Sequence, residues 1–335
     1  MNPISIIIPI RNEENYIKEC IESIINFDYP KEALEILFID GMSKDSTLNI
    51  IKHYQEQYPY IKVIENRDKI VPTAMNLGIK EAKGDYICRL DAHASYPRDY
   101  ISKLLEWSQK LDADNVGAVC KTSLKSSTNI AKAIQFVMSD KFGVGNSLFR
   151  IGVDRPLEVD TVPFGFYKKE VFEKIGGYNE KLVRVQDLEM NKRLKRDGGK
   201  IFLVPDIECT YYPRETLKSF WQNRFKTGKW IILAPYFTNT LNNISLRHIT
   251  PLIFLLISFL LILLSLFNKL FIPLLTIFLL FYSIILFARA LILTKDSILS
   301  FNILVVYATL HFGYGLGSFI SIMEIFINKR KGVKK

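Results

Sequence analysis

The chain has 335 residues, 49% hydrophobic and 23% charged, with a formal net charge of +10. That is enough apolar material for a sizeable core. Its four cysteines, Cys20, Cys88, Cys120 and Cys209, are scattered without a Cys-x-x-Cys pair, which excludes a zinc or disulfide framework and leaves reduced, buried thiols. A basic chain can serve nucleic acid, a membrane surface or an anionic substrate. Here the cations flank an apolar region: Arg224, Lys226, Lys229 and Arg247 precede it, and Lys329, Arg330, Lys331, Lys334 and Lys335 follow it. They match anionic headgroups, so a membrane is the expected partner and nucleic acid is not.

Residues 4–9 read as a strand, and the charged run Arg11-Asn12-Glu13-Glu14 follows Pro9 at once, so no signal peptide is expected and the soluble part should stay in the cytoplasm. Further strands are predicted at 35–39, 61–64 and 85–90. Tyr16, Ile17, Cys20, Ile21, Ile24 and Ile25 recur at helical spacing, and Thr73 to Ala82 does so again before Gly84. Alternation of strand and helix predicts a parallel α/β sheet. Ligands of such sheets bind beyond the carboxyl ends of the strands. Glu13, Asp40 and Asp91 each follow or end a predicted strand, which delivers three carboxylates to one rim.

Residues 116–215 are less regular. They hold Phe164-Gly165-Phe166, a helical stretch Lys169 to Ile175 stopped by Gly176-Gly177, and a polar helix from Gln186 to Arg196 stopped by Gly198-Gly199. The expected division is a soluble domain over 1–215 in two halves (1–115 and 116–215), interfacial helices over 216–248, membrane helices over 249–327 and a basic tail over 328–335. Aromatic and cationic residues mix over 215–232, which suits a helix in the interface plane, although a domain-packing helix shares that composition. Spans are predicted near 249–267, 271–293 and 301–327. Three crossings put the two basic flanks on opposite sides, against the tendency of Lys and Arg to stay inside. Gly313, Gly315 and Gly317 read as a close helix contact.

Asp91-Ala92-His93 carries the clearest chemistry. Residues two apart in an extended chain point the same way, and a carboxylate with an imidazole suits Mn²⁺, or Mg²⁺, with positions left for phosphate oxygens. Alone, such a tripeptide also serves as a turn cap.

The ordered blocks Ile4 to Glu14, Phe38 to Thr47, Asn76 to Asp85 leading to Leu90-Asp91-Ala92-His93, then Gly176-Gly177-Tyr178-Asn179-Glu180 and Gln186-Asp187-Leu188-Glu189, resemble the family-two glycosyltransferases of the GT-A fold across most of residues 3–230. The resemblance implies an inverting transfer of a hexose from a nucleotide diphosphate sugar, with Asp187 as base, and makes 1–215 a catalytic domain whose nucleotide-sugar half is 1–115 and whose acceptor half is 116–215. It further implies that Pro9, Arg11 and Glu13 line the base and ribose pocket, that Asp40 accepts a hydrogen bond from a uracil imide, and that Asp91 and His93 hold Mn²⁺ or Mg²⁺. Gly41 and His93 stand where the family usually has Asp, and Gln186 where it usually has Glu. Arg89-Leu90-Asp91-Ala92-His93-Ala94-Ser95-Tyr96-Pro97 and Tyr212-Pro213-Arg214 resemble the succinoglycan-type subgroup, which extends a lipid-linked sugar in exopolysaccharide assembly. Trp221-Gln222-Asn223-Arg224-Phe225 is one residue short of the Gln-x-x-Arg-Trp pattern of processive synthases, so processivity is not inferred. Arg224 and Lys226 suit a donor diphosphate or an acceptor's lipid phosphate, or serve as solvated interface charges. The alternatives are a Mg²⁺-dependent phosphatase of the haloacid-dehalogenase kind, and a membrane scaffold that has lost activity, to which Gly41 and Gln186 point.

Overall fold

The computed structural model describes residues 2–238 and 246–330. Residues 239–245, expected in the interfacial segment, and Lys331, Lys334 and Lys335 of the basic tail lie outside the described residues. The chain forms two compact units, Met1–Lys121 with Leu148–Tyr212, and Thr122–Ser147 with Pro213–Lys335.

In the first unit, β1 (Ile4–Ile10), β2 (Leu34–Asp40), β3 (Ile61–Glu65) and β4 (Tyr86–Arg89) pair in parallel in the order β3-β2-β1-β4. Helices α1 (Ile17–Ile25), α2 (Thr47–Gln57) and α3 (Val71–Glu81) connect them. The chain continues through β5 (Ala94–Ser95), α4 (Tyr100–Leu111) and β6 (Asn115–Thr122). After α5 (Asn129–Ser139) and α6 (Lys141–Val144), which belong to the second unit, it returns through α7 (Leu148–Ile151), β7 (Leu157–Glu158), β8 (Phe166–Lys168), α8 (Glu170–Ile175), α9 (Gln186–Arg196) and β9 (Ile201–Tyr211). Among the described residues the strands form one sheet ordered β3-β2-β1-β4-β8-β6-β9-β5, with β7 on β9.

The sheet is parallel only over its first four strands. The four strands expected from the alternation pair in parallel as predicted, and the later part of the chain adds antiparallel pairs: β8 against both β4 and β6, and β5 against β9. These strands were hidden because β8 and β5 are too short to show a period and β9 carries Pro205, which breaks a strand pattern. Helix α2 was also missed; of its residues only Thr47 and Ile51 are buried.

Alternation along β1 builds the core. Ile4, Ile6, Ile8 and Ile10 enter one apolar cluster with α1 and α4, while Ile7 joins the cluster on the other face with Leu37, Ile39 and residues of α3, α8 and α9. Each such side chain contributes roughly 1.5–3 kcal/mol relative to exposure. Buried Ser5, between them, accepts from the Gly84 amide and donates to Glu35. A Cβ on Gly84 would come within 2.6 Å of the Ser5 nitrogen, so β1 and the entry to β4 touch only because residue 84 is glycine.

Helix α9 is fastened to the sheet by a buried polar network. Asn191 Oδ1 accepts from Asn115 Nδ2 at 2.8 Å and from the Tyr167 hydroxyl at 2.9 Å, while its Nδ2 donates to Thr161 and to the Val162 carbonyl.

The second unit contains α10 (Leu217–Thr238), α11 (Leu246–Phe267), α12 (Phe271–Thr294) and α13 (Ser297–Arg330). Three helical stretches, Arg247–Phe267, Phe271–Thr294 and Ser297–Ile327, are long and apolar enough to cross a membrane. Helices α11 and α12 expose large apolar side chains such as Phe259, Phe267, Ile277 and Ile292. Segment 122–147, which the sequence reading set in the acceptor half, packs here: Ala133, Ile134, Val137 and Met138 of α5 share an apolar cluster with Leu286, Ala290, Ile303, Val306, Tyr307 and Leu310. Asp140 holds this junction, accepting from Arg289 Nε at 2.9 Å and from the Tyr307 hydroxyl at 2.6 Å. Helices α10 and α13 approach to backbone contact, as the glycine pattern implied. A Cβ on Gly228 would lie 2.0 Å from the Tyr314 carbonyl oxygen, and one on Gly317 would lie 2.1 Å from that of Phe225.

Replacing Asn191 with leucine strands the Asn115 amide and the Tyr167 hydroxyl in the core. We expect a loss of about 2–4 kcal/mol, read by scanning fluorimetry as a Tm lower by roughly 5–10 °C. An unchanged Tm would show that the network does not hold α9.

Candidate active site

The site begins where β1 and β2 end side by side, Ile10 opposite Asp40. Buried Asp40 accepts from the Ser43 amide and, at 2.6 Å, from its hydroxyl. The loop after β1 is laced to this one. Asn12, at φ +56°, donates its amide to Ser43 Oγ and accepts from the Lys44 amide. The Glu13 amide donates to Thr47 Oγ1 at 2.8 Å, and Asp45 accepts from the Glu14 and Thr47 amides. Glu13 and Asp40 thus sit on two loops that hydrogen bonds join into one rim. Pro9 lies beyond the last residue of β1 that pairs with β4, so its missing N–H breaks no bond on that side. A Cβ on Gly41 would meet Arg11 Cδ at 3.3 Å: the Arg11 stem lies where a larger residue would project.

After β4 the chain turns through Asp91-Ala92-His93. Buried Tyr96 pins the turn, its hydroxyl accepting from the Asp91 amide at 2.8 Å. The His93 carbonyl accepts from the Tyr212 amide at the end of β9. His93 Nε2 stands 4.0 Å from Asp91 Oδ2, and its Nδ1 3.6 Å from Glu13 Oε1, too long for a formed hydrogen bond but within the carboxylate's field. The ring packs edge-on against Tyr211, centroids 5.3 Å apart, and the Arg150 guanidinium lies over that tyrosine at 5.0 Å. Burial works against a charged imidazole, but Glu13, helped by Tyr211 and Asp91, outweighs it and raises the His93 pKa to about 9. Asp91 and His93 are the residues that would hold a divalent cation, with Glu13 behind the second ring nitrogen, since a carboxylate there is the usual support of a ligating histidine. Among the described residues no three His, Cys, Asp or Glu side chains form a closed cage, so such an ion would need oxygens from a ligand.

Arg89, the last residue of β4, completes the centre. Its side chain, 7% exposed, places Nη2 3.2 Å from Asp91 Oδ1 and Nη1 in contact with Asp187 Oδ1. Asp187 enters from the first turn of α9, after Val185 in the left-handed region at φ +57°. Its side chain is 29% exposed, open enough to meet a ligand. Burial pushes the Asp187 pKa up, Arg89 opposes, and Asp91 adds to the rise. Glu189, by contrast, is buried and paired with Arg193 at 3.0 Å. Arg193 also donates to the carbonyls of Ile175 and Gly177, and Asn76 on α3 brackets Tyr178 through its amide and carbonyl, so the glycine turn before α9 is held from two sides.

Glu13, Asp91, His93 and Asp187 therefore converge, with Asp40 and Arg11 on the adjoining loops. Arg224 belongs to the second unit, where its guanidinium lies over the Phe220 ring. Sequence reading missed Arg89 as a working residue. The signal was present: a charged residue inside an otherwise apolar strand is rarely buried without partners.

Residues 5–176 match the family described as Glycosyl transferase family 2. Among curated relatives, the chain is 35% identical over 237 residues to a dolichyl N-acetyl-alpha-D-glucosaminyl phosphate 3-beta-D-2,3-diacetamido-2,3-dideoxy-beta-D-glucuronosyltransferase of Methanococcus voltae, covering 68% of this chain and 72% of that one. It is 31% identical to the succinoglycan biosynthesis protein ExoA of Rhizobium meliloti, covering 65% and 66%. Among solved structures, the mannosyltransferase PcManGT from Pyrobaculum calidifontis, in complex with GDP-Man and Mn²⁺, superposes with a TM-score of 0.59 at 17% identity, covering 96% of this chain and 88% of that one.

Exchanging Arg89 for methionine leaves Asp91 and Asp187 without their shared counter-ion. A loss of about 3–5 kcal/mol is expected near neutral pH. A carboxyl whose folded pKa is raised stabilises the fold on protonation, so the deficit should shrink as pH falls through the folded-state Asp187 pKa, above the ordinary carboxylate value. Melting curves between pH 8 and 5 test this; a deficit independent of pH would show that Asp187 is not the group left unpaired.

Proposed function

The chain belongs to glycosyl transferase family 2 and is a glycosyltransferase of the GT-A fold; we propose that it transfers a hexose, with inversion and with a divalent metal, from a nucleotide diphosphate sugar to a lipid-linked acceptor at a membrane. The observation that carries this reading is the convergence of Asp187 with Asp91 on one guanidinium, which puts a candidate base beside a candidate diphosphate site. Membership of this family replaces the haloacid-dehalogenase alternative.

In the proposed reaction Asp187 takes the proton of the acceptor hydroxyl while that oxygen bonds to the anomeric carbon, and the bond from this carbon to the diphosphate breaks on the opposite face, the electron pair leaving with the diphosphate. Arg89 favours the anionic form of Asp187 and fixes its rotamer. Burial, with Asp91, raises the Asp187 pKa against that pull, which strengthens the carboxylate as a base. Asp91 and His93 would hold Mn²⁺ or Mg²⁺, which supplies neutralisation of the charge on the departing diphosphate. Asp40 keeps acceptor capacity beyond Ser43 for the imide N–H of uracil, which favours a UDP-sugar, with Arg11 and Pro9 beside it. The relative in Methanococcus voltae is named for a dolichyl-phosphate-linked substrate, which supports a lipid-linked acceptor, and ExoA is named for succinoglycan biosynthesis, which supports exopolysaccharide assembly.

We further propose that α11 and α12 cross the bilayer as a hairpin, with the catalytic domain cytoplasmic, and that α13 lies at the interface. Only 6% of the α12 span is covered by protein, against 50% of the α13 span. Helix α13 packs along α10, where Lys229 pairs with Glu324 at 2.7 Å and the hydroxyls of Ser318 and Ser321 donate to α10 carbonyls. An ion pair on that stretch suits headgroup depth, not hydrocarbon. Two crossings return both basic flanks to one side, as the positive-inside tendency requires.

With Asp187→Asn, UDP binding should persist while transfer falls by about 10²–10⁴-fold; with Asp91→Ala, the enhancement of UDP binding by Mn²⁺ should vanish in calorimetric titration. Full transfer by Asp187→Asn would remove the assigned base. For topology, cysteines introduced singly at Asn268, Lys295 and Asn328 should react with an impermeant maleimide on intact cells only at 268. Labelling at 328 as well would restore three crossings.

A further inference from the structure

In the second unit the buried hydroxyl of Tyr314 has no hydrogen-bond partner, although the residue is only 7% exposed. A stranded hydroxyl costs about 1–3 kcal/mol unless something meets it. Two arginines stand on the helices that touch this stretch of α13. Gly228 of α10 touches the Tyr314 backbone, and Pro251 of α11 touches the next residue, Gly315. One helical turn before Gly228 and before Pro251 stand Arg224 and Arg247, and both guanidinium groups act electrostatically on the Tyr314 hydroxyl. The place is built with some care. Gly145, at φ +61°, lets its loop come so close that a Cβ there would lie 3.1 Å from Arg247 Cβ, and Arg247 Nη1 donates to Asn146 Oδ1 at 2.8 Å and to its carbonyl. Arg247 also opens the first candidate span, at the depth where lipid phosphates lie.

We propose that Arg224, Arg247 and the Tyr314 hydroxyl bind a phosphate carried on a lipid, and that this phosphate is the one through which the acceptor is attached to its lipid. Two fixed cations and one hydroxyl donor match the oxygens of a phosphate better than those of a sugar or a carboxylate. A single site of this kind would hold the acceptor's anchored end and leave its sugar free to reach a catalytic centre. The assignment rests on the lipid-linked acceptor proposed above, and it gives Arg224 to the acceptor instead of the donor diphosphate.

The test uses the full chain in phosphatidylcholine nanodiscs, with a polyprenyl phosphate, the corresponding neutral polyprenol and phosphatidylglycerol as probes, read by native mass spectrometry and thermophoresis. The polyprenyl phosphate should bind, the polyprenol at least tenfold more weakly. Arg224→Gln and Arg247→Gln should each weaken binding about tenfold, and Arg247→Lys should retain most of it. Tyr314→Phe removes only a hydroxyl that has no partner to lose, so it folds even if the arginine variants do not, and it should weaken binding several-fold. Equal binding of phosphate and alcohol, or wild-type affinity in Tyr314→Phe, would overturn the site. Displacement of polyprenyl phosphate by equimolar phosphatidylglycerol would overturn its assignment to the acceptor. UDP binding with Mn²⁺ is measured on the same preparation: its absence beside intact lipid binding would sink the transferase reading and leave this site standing.

Discussion

A single buried guanidinium holds the catalytic half of this molecule together. Arg89 ends the fourth parallel strand and reaches Asp91, at the start of the following turn, and Asp187, on a helix 98 residues later. Three charges in a mostly buried position are costly unless each is paired, and removal of any one leaves the others exposed to that cost. The arrangement therefore couples the turn that carries Asp91 and His93 to the helix that carries Asp187. Neither can drift without breaking an ion pair, and the Asn191 network under the same helix fixes its distance from the sheet.

The order of blocks along the chain acquires a mechanical meaning in this light. The backbone amides of Asn12, Glu13 and Glu14 are satisfied by Ser43, Thr47 and Asp45 of the next block. Asn76 in the third block closes on Tyr178 in a later one. Each block supplies hydrogen-bond partners that another block lacks, so the loops above the sheet form a rigid floor. Gly41 fits this floor, since the Arg11 stem occupies the space beside it. The departure from the family's usual Asp is thus accommodated by a neighbouring cation and gives no support to an inactive scaffold.

The second unit follows a different physics. Helices α11 and α12 present apolar side chains outward, while α13 is fastened along both halves of its length, by α5 and Asp140 near its start and by α10 near its end. At about 1.5 Å per residue its 34 residues extend about 51 Å, well beyond the roughly 30 Å of a hydrocarbon core. A helix of that length, covered on one side and paired through Lys229 and Glu324, is built to organise its neighbours.

The sequence alone determined the local elements and the chemical types. Short apolar runs announced β1 to β4, long Leu, Ile and Phe runs announced α11 to α13, and the Asp-x-His turn announced ligand chemistry at a strand end, because these signals depend on residues near one another along the chain. The haloacid-dehalogenase and scaffold alternatives stayed open at that level, since an Asp at a strand end serves several chemistries. Tertiary structure decided what depends on distant partners. It made Arg89 the link between Asp91 and Asp187, turned Glu13 toward His93, placed residues 122–147 with the apolar C-terminal helices and set Tyr314 against Gly228, one turn from Arg224. The physical reason is that an ion pair or a buried hydroxyl is defined by two or three groups whose separation in sequence carries no period. Only the packing of strands, loops and glycine contacts sets their distance.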